Sequence, residues 1–147
     1  MGQYKDIINF MFDERNKTMA KKRVFISFDV DHDELTKKAL AAQADLADSP
    51  FDFKDASVKE PLTGDWKEKV RRRMDNIDIV AVLCGTQTHT ASGVAAEVTI
   101  AQEEGKNYFL LSAYKDKACT KPRSAKSSDK LYNWTWPNLK ALIGGGR

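Results

Sequence analysis

The sequence predicts an α/β fold in which helices cover both faces of a doubly wound parallel sheet. The clearest evidence is a pair of apolar runs, residues 79–84 and 107–111, on either side of a helical stretch. The first run is continuously apolar, as is typical of a strand buried on both faces. Helical spacing in the stretch 92–104 places these apolar residues on one side: Val94, Val98 and Ala101. This strand–helix–strand order is the repeating unit of a parallel sheet.

The remaining elements follow from the same alternation of apolar runs, helical stripes and turn residues. The predicted strands are residues 23–29, 51–55, 78–84, 107–113 and 131–134. The predicted helices are residues 34–46, 65–76, 92–104 and 137–143. Right-handed crossovers between these units give a flavodoxin-like, five-stranded parallel sheet in the order 2-1-3-4-5, with the first strand central.

The helical stripes also predict which side of each helix is buried. In the helix 34–46 the predicted buried side chains are Leu35, Ala39, Ala42 and Leu46. In the helix 65–76 they are Trp66, Val70 and Met74. We therefore expect both helices to pack on the sheet through these residues.

The chain length indicates one domain with a short extension at its start. At 147 residues the chain suits a single domain, which we assign to residues 21–143. Residues 1–20 form the extension, where Ile7, Ile8, Met11 and Phe12 can form one face of a short amphipathic helix. Packing on the domain is the simplest interpretation of this extension, and attachment to a partner or a misassigned start are the alternatives. The glycine-rich residues 144–147 are expected to be a flexible tail.

Composition excludes several classes of protein. The net charge of +3 is small, and no basic stripe with interleaved aromatic residues points to nucleic acid. The two cysteines, Cys84 and Cys119, lack metal-ligand spacing and indicate a reduced, intracellular protein. No apolar run reaches the length of a membrane span, and no signal peptide is visible. We therefore expect a cytoplasmic protein that binds neither nucleic acid nor membranes.

Glu97 is the candidate functional carboxylate. It lies in the first half of the helix 92–104, just after a loop rich in Gly, Thr and Ser. This places it near the carboxyl end of the preceding strand, where open α/β sheets bind ligands. The alternative is that Glu97 only interacts with the dipole of its helix.

A second group of polar residues follows the first strand. Acids at positions 29, 31 and 33 mark the carboxyl end of that strand, because carboxylates do not stay buried without partners. Asp31 or Asp33 can also cap the following helix. A catalytic triad of Ser27, His32 and Asp29 is disfavoured, because proximity in sequence does not make a triad.

With these residues in place, the chain resembles the Toll/interleukin-1 receptor (TIR) superfamily, and in particular bacterial TIR-like proteins of the Thoeris anti-phage type. Residues 23–28 (RVFISF) are similar to the opening strand of that family. The loop 55–64 stands where the family has its BB loop, and residues 79–88 are similar to its strand and Gly-x-x-Thr turn. Glu97 falls at the position of the catalytic glutamate of the family. The aromatic residue usual before that glutamate is missing, since residues 93–96 are Gly, Val, Ala and Ala.

The resemblance implies an enzyme that cleaves the nicotinamide–ribose bond of NAD and makes an ADP-ribose-derived, in some members cyclic, signal. It implies Glu97 as the catalytic residue, NAD as substrate, and neither a cofactor nor a metal. It also implies a homo-oligomer or TIR–TIR assembly, and an effector protein that responds to the nucleotide product. One fixed carboxylate suffices chemically, because it can stabilise an oxocarbenium-like ribose while nicotinamide leaves as a neutral molecule.

Other residues receive binding roles by the same resemblance. The candidate substrate-binding residues are Phe28, Asp29, Asp55, Lys59, Trp66, Thr86 and Thr88. The two aromatic residues can wall the nucleotide or be plain core residues, and Asp29 can hold the ribose or cap the turn. The threonines can contact phosphate or serve their own turn, while residues 55 and 59 lie in a loop that can close over the site. We expect Phe28, Asp29, Thr86 and Glu97 to line one cleft.

Alternative functions remain open at this point. A nucleoside 2-deoxyribosyltransferase-like enzyme has the same type of sheet and a helical glutamate, but an Asp is expected in the loop before the helix, where this chain has Thr and Ser. A non-catalytic TIR adaptor would act by assembly alone. A response-regulator receiver is excluded, because it needs an Asp at the end of the third strand, where this chain has Cys84 and Gly85.

Overall fold

A computed structural model of the chain describes residues 21–53 and 65–144, which are built around a parallel sheet. Its five strands are β1 (Lys22–Ser27), β2 (Phe51–Phe53), β3 (Ile79–Cys84), β4 (Asn107–Ser112) and β5 (Leu131–Asn133). All neighbouring strands pair in parallel, in the order β2-β1-β3-β4-β5. The predicted flavodoxin-like order is therefore confirmed, with β1 between β2 and β3.

Helices cover the sheet on both faces. They are α1 (Glu34–Ala42), α2 (Trp66–Met74), α3 (Ser92–Glu103) and α4 (Trp136–Ile143). Short 3₁₀ helices at Gln43–Asp45 and Thr88–Thr90 extend α1 and precede α3. Among the described residues, no helix is long and apolar enough to cross a membrane.

The core consists of two clusters because successive side chains of a strand point to opposite faces. On one face, strand residues such as Val24, Ile26 and Leu83 pack with α1 and α4. On the other, Phe25 and Val82 are among the strand residues that pack with α2 and α3. Every residue of β3 is buried, as the continuous apolar run predicts.

The predicted buried sides of α2 and α3 are confirmed. In α2 the buried residues are Trp66, Val70 and Met74. In α3 they include Val94, Val98 and Ala101, together with Ile100 and Glu97. These helices follow the ordinary rule that the apolar stripe faces the sheet.

The predicted buried side of α1 is wrong. Leu35 is 82% exposed and Leu46 is 46% exposed, and Ala39 and Ala42 also face solvent. The side that faces the sheet instead carries Asp33, Lys37, Leu40 and Ala44. Lys37 is buried with its ammonium 5.5 Å from the ring centre of Phe28 and 5.0 Å from that of Phe53. Contacts with aromatic rings stabilise a cation. Lys37 can therefore lie on the sheet-facing side of the helix, where the apolar pattern predicts an apolar residue.

Some predictions fall outside the described residues. These are the extension 1–20, the last two residues of the strand 51–55, and the end of the tail. The assignment of residues 21–143 to one domain stays a prediction. The strands and helices described above all fall within that range.

Candidate active site

Glu97 lies in the second turn of α3, on the side of the helix that faces the sheet. Its side chain is buried, with 6% of the residue exposed. The Oγ of Ser27 donates a hydrogen bond to Glu97 Oε1 at 2.7 Å. Ser27 is the last residue of β1, so the carboxyl group is held at the carboxyl end of the central strand, where we expected it.

Burial makes Glu97 an unusual acid. Desolvation raises the pKa of this carboxyl from its ordinary value of 4.5 to about 8, and the hydrogen bond from Ser27 opposes the rise. The resting carboxyl is therefore largely protonated at neutral pH. A cation bound nearby would lower that pKa and favour the charged form.

The position of Glu97 also weakens the interpretation that it serves the helix dipole. The dipole acts mainly on charges in the first turn of a helix, and α3 begins at Ser92. A dipole-stabilised acid is exposed, ionised and of lowered pKa, whereas the pKa of Glu97 is raised. Glu97 fits the description of a desolvated functional group better.

Open space adjoins the first turn of α3. A Cβ atom added at Gly93 would meet none of the described residues within 4 Å. Gly93 precedes Glu97 by four residues and so lies on the same side of the helix, one turn nearer its start. Helical side chains lean towards the N-terminus of the helix, which brings the Glu97 carboxyl towards this turn. The open space therefore lies one helical turn from Glu97, whose own side chain is buried.

Asp29 and His32 form a separate pair after β1. The Oδ2 of Asp29 lies 2.6 Å from Nδ1 of His32, and Asp29 Oδ1 accepts from the backbone N–H of Asp31 at 3.1 Å. The hydrogen bond between the side chains of His32 and Asp29 raises the pKa of His32. The carboxylate of Asp29 thus holds its own turn. Ser27 donates to Glu97 rather than to His32, so the three residues do not form a triad.

Asp33 is a further buried acid at this edge of the sheet, in addition to Glu97 and Asp29. It is 1% exposed, and its Oδ1 accepts a hydrogen bond from Tyr114 Oη at 2.8 Å. Within residues 21–53 and 65–144 its Oδ2 finds no hydrogen-bond partner, and it packs against Gly85, where an added Cβ atom would overlap it. Burial raises the pKa of Asp33 as well. Asp33 precedes α1 without capping it through its side chain.

The structure separates the two aromatic candidates. Phe28 packs in the core cluster on the α1 and α4 face, opposite the face that carries Glu97. Trp66 is on the Glu97 face, but it is 3% exposed and packs among Phe25, Val94 and Val98. Both side chains contribute to the core, and their nucleotide-binding roles stay predictions.

The remaining candidates lie in loops. Thr88 is buried, and its Oγ1 accepts a hydrogen bond from the backbone N–H of Gly85 at 2.7 Å, so it shapes the turn after β3. Thr86 is half-buried in the same turn. Asp55 and Lys59 lie outside the described residues. Of the expected cleft, Glu97 is at the predicted edge and Phe28 faces away from it.

Sequence reasoning missed the role of Ser27 as the partner of Glu97. A signal was present, because Ser27 is a polar residue at the end of an apolar strand that the pattern predicts to be buried. Alternation along β1 also places Ser27 and Phe28 on opposite faces. A buried hydroxyl needs a hydrogen-bond partner, and Glu97 supplies it here.

Comparison with known proteins identifies the family of the chain. The family model described as "Thoeris protein ThsB, TIR-like domain" matches residues 25–118, which is more than half of the chain. No curated protein matches the chain. The chain therefore belongs to the Thoeris ThsB TIR-like family and is a TIR-type anti-phage defence protein.

Proposed function

We propose that this Thoeris TIR-like protein cleaves the nicotinamide–ribose bond of NAD and uses Glu97 as its catalytic carboxylate. The ADP-ribosyl group would then be transferred to water or to one of its own hydroxyls, the second giving a cyclic signal. An effector protein that recognises the nucleotide product would carry the defence response. Membership of the family supports this proposal, and the environment of Glu97 is the observation that carries it.

That environment suits the bond that has to break. Both electrons of the C1′–N bond leave with nicotinamide, whose ring loses its positive charge, and the ribose carbon becomes an oxocarbenium-like centre. The leaving group needs no proton, so a single carboxylate next to the sugar is enough. A carboxylate surrounded by apolar groups stabilises such a centre more strongly than one in water, because the dielectric response there is weak.

The raised pKa of Glu97 fits a positively charged substrate. The free protein holds Glu97 mostly protonated at neutral pH, which lowers the cost of burying it. The cationic nicotinamide ring of NAD would favour ionisation of the carboxyl when the substrate binds. The hydrogen bond from Ser27 would then fix the orientation of the carboxylate.

The open space next to Gly93 supports a route for the substrate. The aromatic side chain that is usual in the family before the glutamate is replaced by small residues at positions 93–96. A nucleoside would approach from the first turn of α3, where an added Cβ at Gly93 meets no other described residue within 4 Å, and the buried Glu97 side chain would have to become accessible to it. We therefore do not propose that the substrate stacks on a side chain at positions 93–96.

The proposal predicts a large effect of Glu97→Gln on NAD cleavage. This substitution keeps the shape of the side chain and removes its charge. Loss of one preorganised electrostatic contact typically costs about 10²–10³ in rate, and we expect at least that. The products formed from NAD by the full chain should be identified by mass spectrometry, with and without extract from phage-infected cells.

Glu103→Gln is the matched control. Glu103 lies on the same helix, and its exposed carboxylate pairs with Arg71 at 3.0 Å on the surface. This variant should cleave NAD at the wild-type rate. Equal rates for wild type and Glu97→Gln, in protein that cleaves NAD, would contradict the role of Glu97.

A second candidate function is a non-catalytic adaptor that works through TIR–TIR assembly. The observation that favours it is the 6% exposure of Glu97, which is low for a residue that has to touch a substrate. In an adaptor the Ser27–Glu97 hydrogen bond would only join α3 to β1. The same experiment separates the candidates, because an adaptor releases no nicotinamide from NAD with or without the infected-cell extract.

A further inference from the structure

Helix α1 is apolar on two opposite sides. Leu40 and Ala44 pack against the sheet. Leu35 and Leu46, together with Ala39 and Ala42, form a second stripe that faces away from it. At 100° per residue Leu35, Ala39 and Ala42 lie opposite Leu40, and Leu46 follows the 3₁₀ helix that extends α1. An apolar group on the outer side of a surface helix is a candidate contact for another segment.

The exposed apolar surface is concentrated in this region. Among the described residues, the large apolar side chains that remain exposed are Val30, Leu35 and Leu46, and all of them lie between β1 and β2. Single exposed apolar residues are ordinary, but a contiguous group marks an interaction surface. We call Leu35, Ala39, Ala42 and Leu46 the outer stripe of α1.

We propose that the outer stripe is the docking surface for the chain's own N-terminal segment, residues 1–20. The pattern of that segment favours an amphipathic helix with Ile7, Ile8, Met11 and Phe12 on one side. Four large apolar side chains match a stripe that offers two leucines and two alanines. The segment would cover the stripe and bury both apolar faces.

The place where the described chain begins brings the segment to this surface. The backbone N–H of Lys22 donates to the carbonyl of Pro50 at 3.1 Å. The turn that leads to Pro50 starts at Leu46, whose carbonyl accepts from the N–H of Ser49 at 3.0 Å. The N-terminal segment therefore joins the domain close to the Leu46 end of the outer stripe.

The lengths also agree. Leu35 and Ala42 are about 10 Å apart along α1, and Leu46 follows after one further turn of 3₁₀ helix. The residues between Phe12 and Lys21 can span up to about 27 Å when extended. A helix over the apolar part of the segment can therefore lie along the whole stripe.

Two other occupants of the stripe are outcomes of the test. The loop 54–64 contains Val58 and Leu62, but its apolar residues form no helical stripe. That loop also follows the carboxyl end of β2, away from the Leu46 end of the outer stripe. A second copy of the chain could also cover the stripe, but nothing in the described residues places it there.

Methyl-labelled full-length protein gives the direct test. We expect nuclear Overhauser contacts between the methyl groups of Leu35 or Leu46 and those of Ile7, Ile8 or Met11, within one molecule. Contacts seen only between differently labelled molecules would assign the stripe to a second copy and overturn the proposal. Contacts to Val58 or Leu62 instead, or no contacts from the leucine methyls, would overturn it as well.

A double-mutant cycle in the full chain tests the same contact by stability. Leu35→Ser and Met11→Ser should each lower Tm by about 4 °C, and the double variant should lose little more than either single variant. Lys38→Ser on α1 and Asn9→Ser in the segment are the matched controls and should leave Tm unchanged. Additive losses, or no loss from Leu35→Ser, would contradict the proposal.

Discussion

Two buried carboxyl groups lie at the same edge of the sheet but on opposite faces. Glu97 on α3 accepts a hydrogen bond from Ser27, and Asp33 before α1 accepts one from Tyr114. Burial raises the pKa of both carboxyls. They differ in the space next to them. A Cβ atom at Gly85 would overlap Asp33, whereas one at Gly93, a turn before Glu97, would have no neighbour within 4 Å in the part of the chain that the structure describes.

This difference shows why a raised pKa alone does not identify a functional site. Desolvation acts on any buried acid, whether it holds the fold together or meets a substrate. Asp33 is closed in by the backbone at Gly85 and by Tyr114, so a ligand has no room to reach it. Glu97 combines desolvation and a strand-end position with open space one helical turn away, at Gly93, and this combination supports the proposed catalysis.

The largest expected effect concerns how stability depends on pH. The folded-state pKa of Glu97, about 8, lies above the ordinary value of 4.5, so between these values only the folded protein holds the proton. The free energy of unfolding must then fall as pH rises, by about 1.4 kcal/mol per pH unit from this group. Glu97→Gln removes this dependence, and its advantage over wild type should reach on the order of 4 kcal/mol by about pH 8.

Urea unfolding of wild type and Glu97→Gln at a series of pH values measures this effect. The exposed Glu103→Gln variant is the control and should follow wild type throughout. A constant difference between wild type and Glu97→Gln from about pH 5 to about pH 8 would show that the carboxyl is not desolvated in the folded protein.

The next effect tests how tightly Asp33 is enclosed. In Gly85→Ala the new methyl group would lie 2.2 Å from Asp33 Oδ2 and 2.6 Å from its Cγ. Overpacking of this kind costs about 2–3 kcal/mol of stability. Adding Asp33→Ala to this variant makes room for the methyl group, so the cost of Gly85→Ala should be much smaller in that background. An equal cost in both backgrounds would rule out the Asp33 contact as its cause.

The smallest effect uses the other glycine. Gly93 lies in the first turn of α3, and its added methyl group would come within 4 Å of no residue in the described ranges 21–53 and 65–144. Gly93→Ala should therefore stabilise the protein by about 0.5–1 kcal/mol, because alanine loses less conformational freedom in a helix. The two variants, Gly93→Ala and Gly85→Ala, form a matched pair that should be compared by equilibrium unfolding. Destabilisation of similar size in both variants would contradict the presence of open space at Gly93.

The sheet and most of the helices could be predicted because their patterns are strong. Apolar runs such as β3 and stripes such as Val94 and Val98 leave few alternatives. The predicted buried side of α1 was wrong because the large apolar side chains of Leu35 and Leu46 face away from the sheet. Lys37 is buried instead, over two aromatic rings. Contacts with other elements determine how α1 is oriented on the sheet. The apolar pattern within one helix carries no information about those contacts.

The site was predictable in part for a similar reason. The carboxyl ends of parallel strands meet at one edge of the sheet, so the general place of Glu97 followed from topology. Its hydrogen bond with Ser27 joins residues 70 positions apart, and its pKa depends on that packing. The packing of Asp33 against Gly85 is equally invisible in sequence, because it depends on where α1 begins relative to β3.

The pH dependence of kcat/KM for NAD tests the central claim most directly, because it reports the ionisation of essential groups in the free enzyme. If ionised Glu97 carries the reaction, kcat/KM should rise about tenfold per pH unit and level off above about pH 8. Ser27→Ala should move this midpoint to higher pH, since the hydrogen bond from Ser27 lowers the pKa of Glu97. A profile that is flat from about pH 6 to about pH 9, or whose midpoint does not move in Ser27→Ala, would contradict the account.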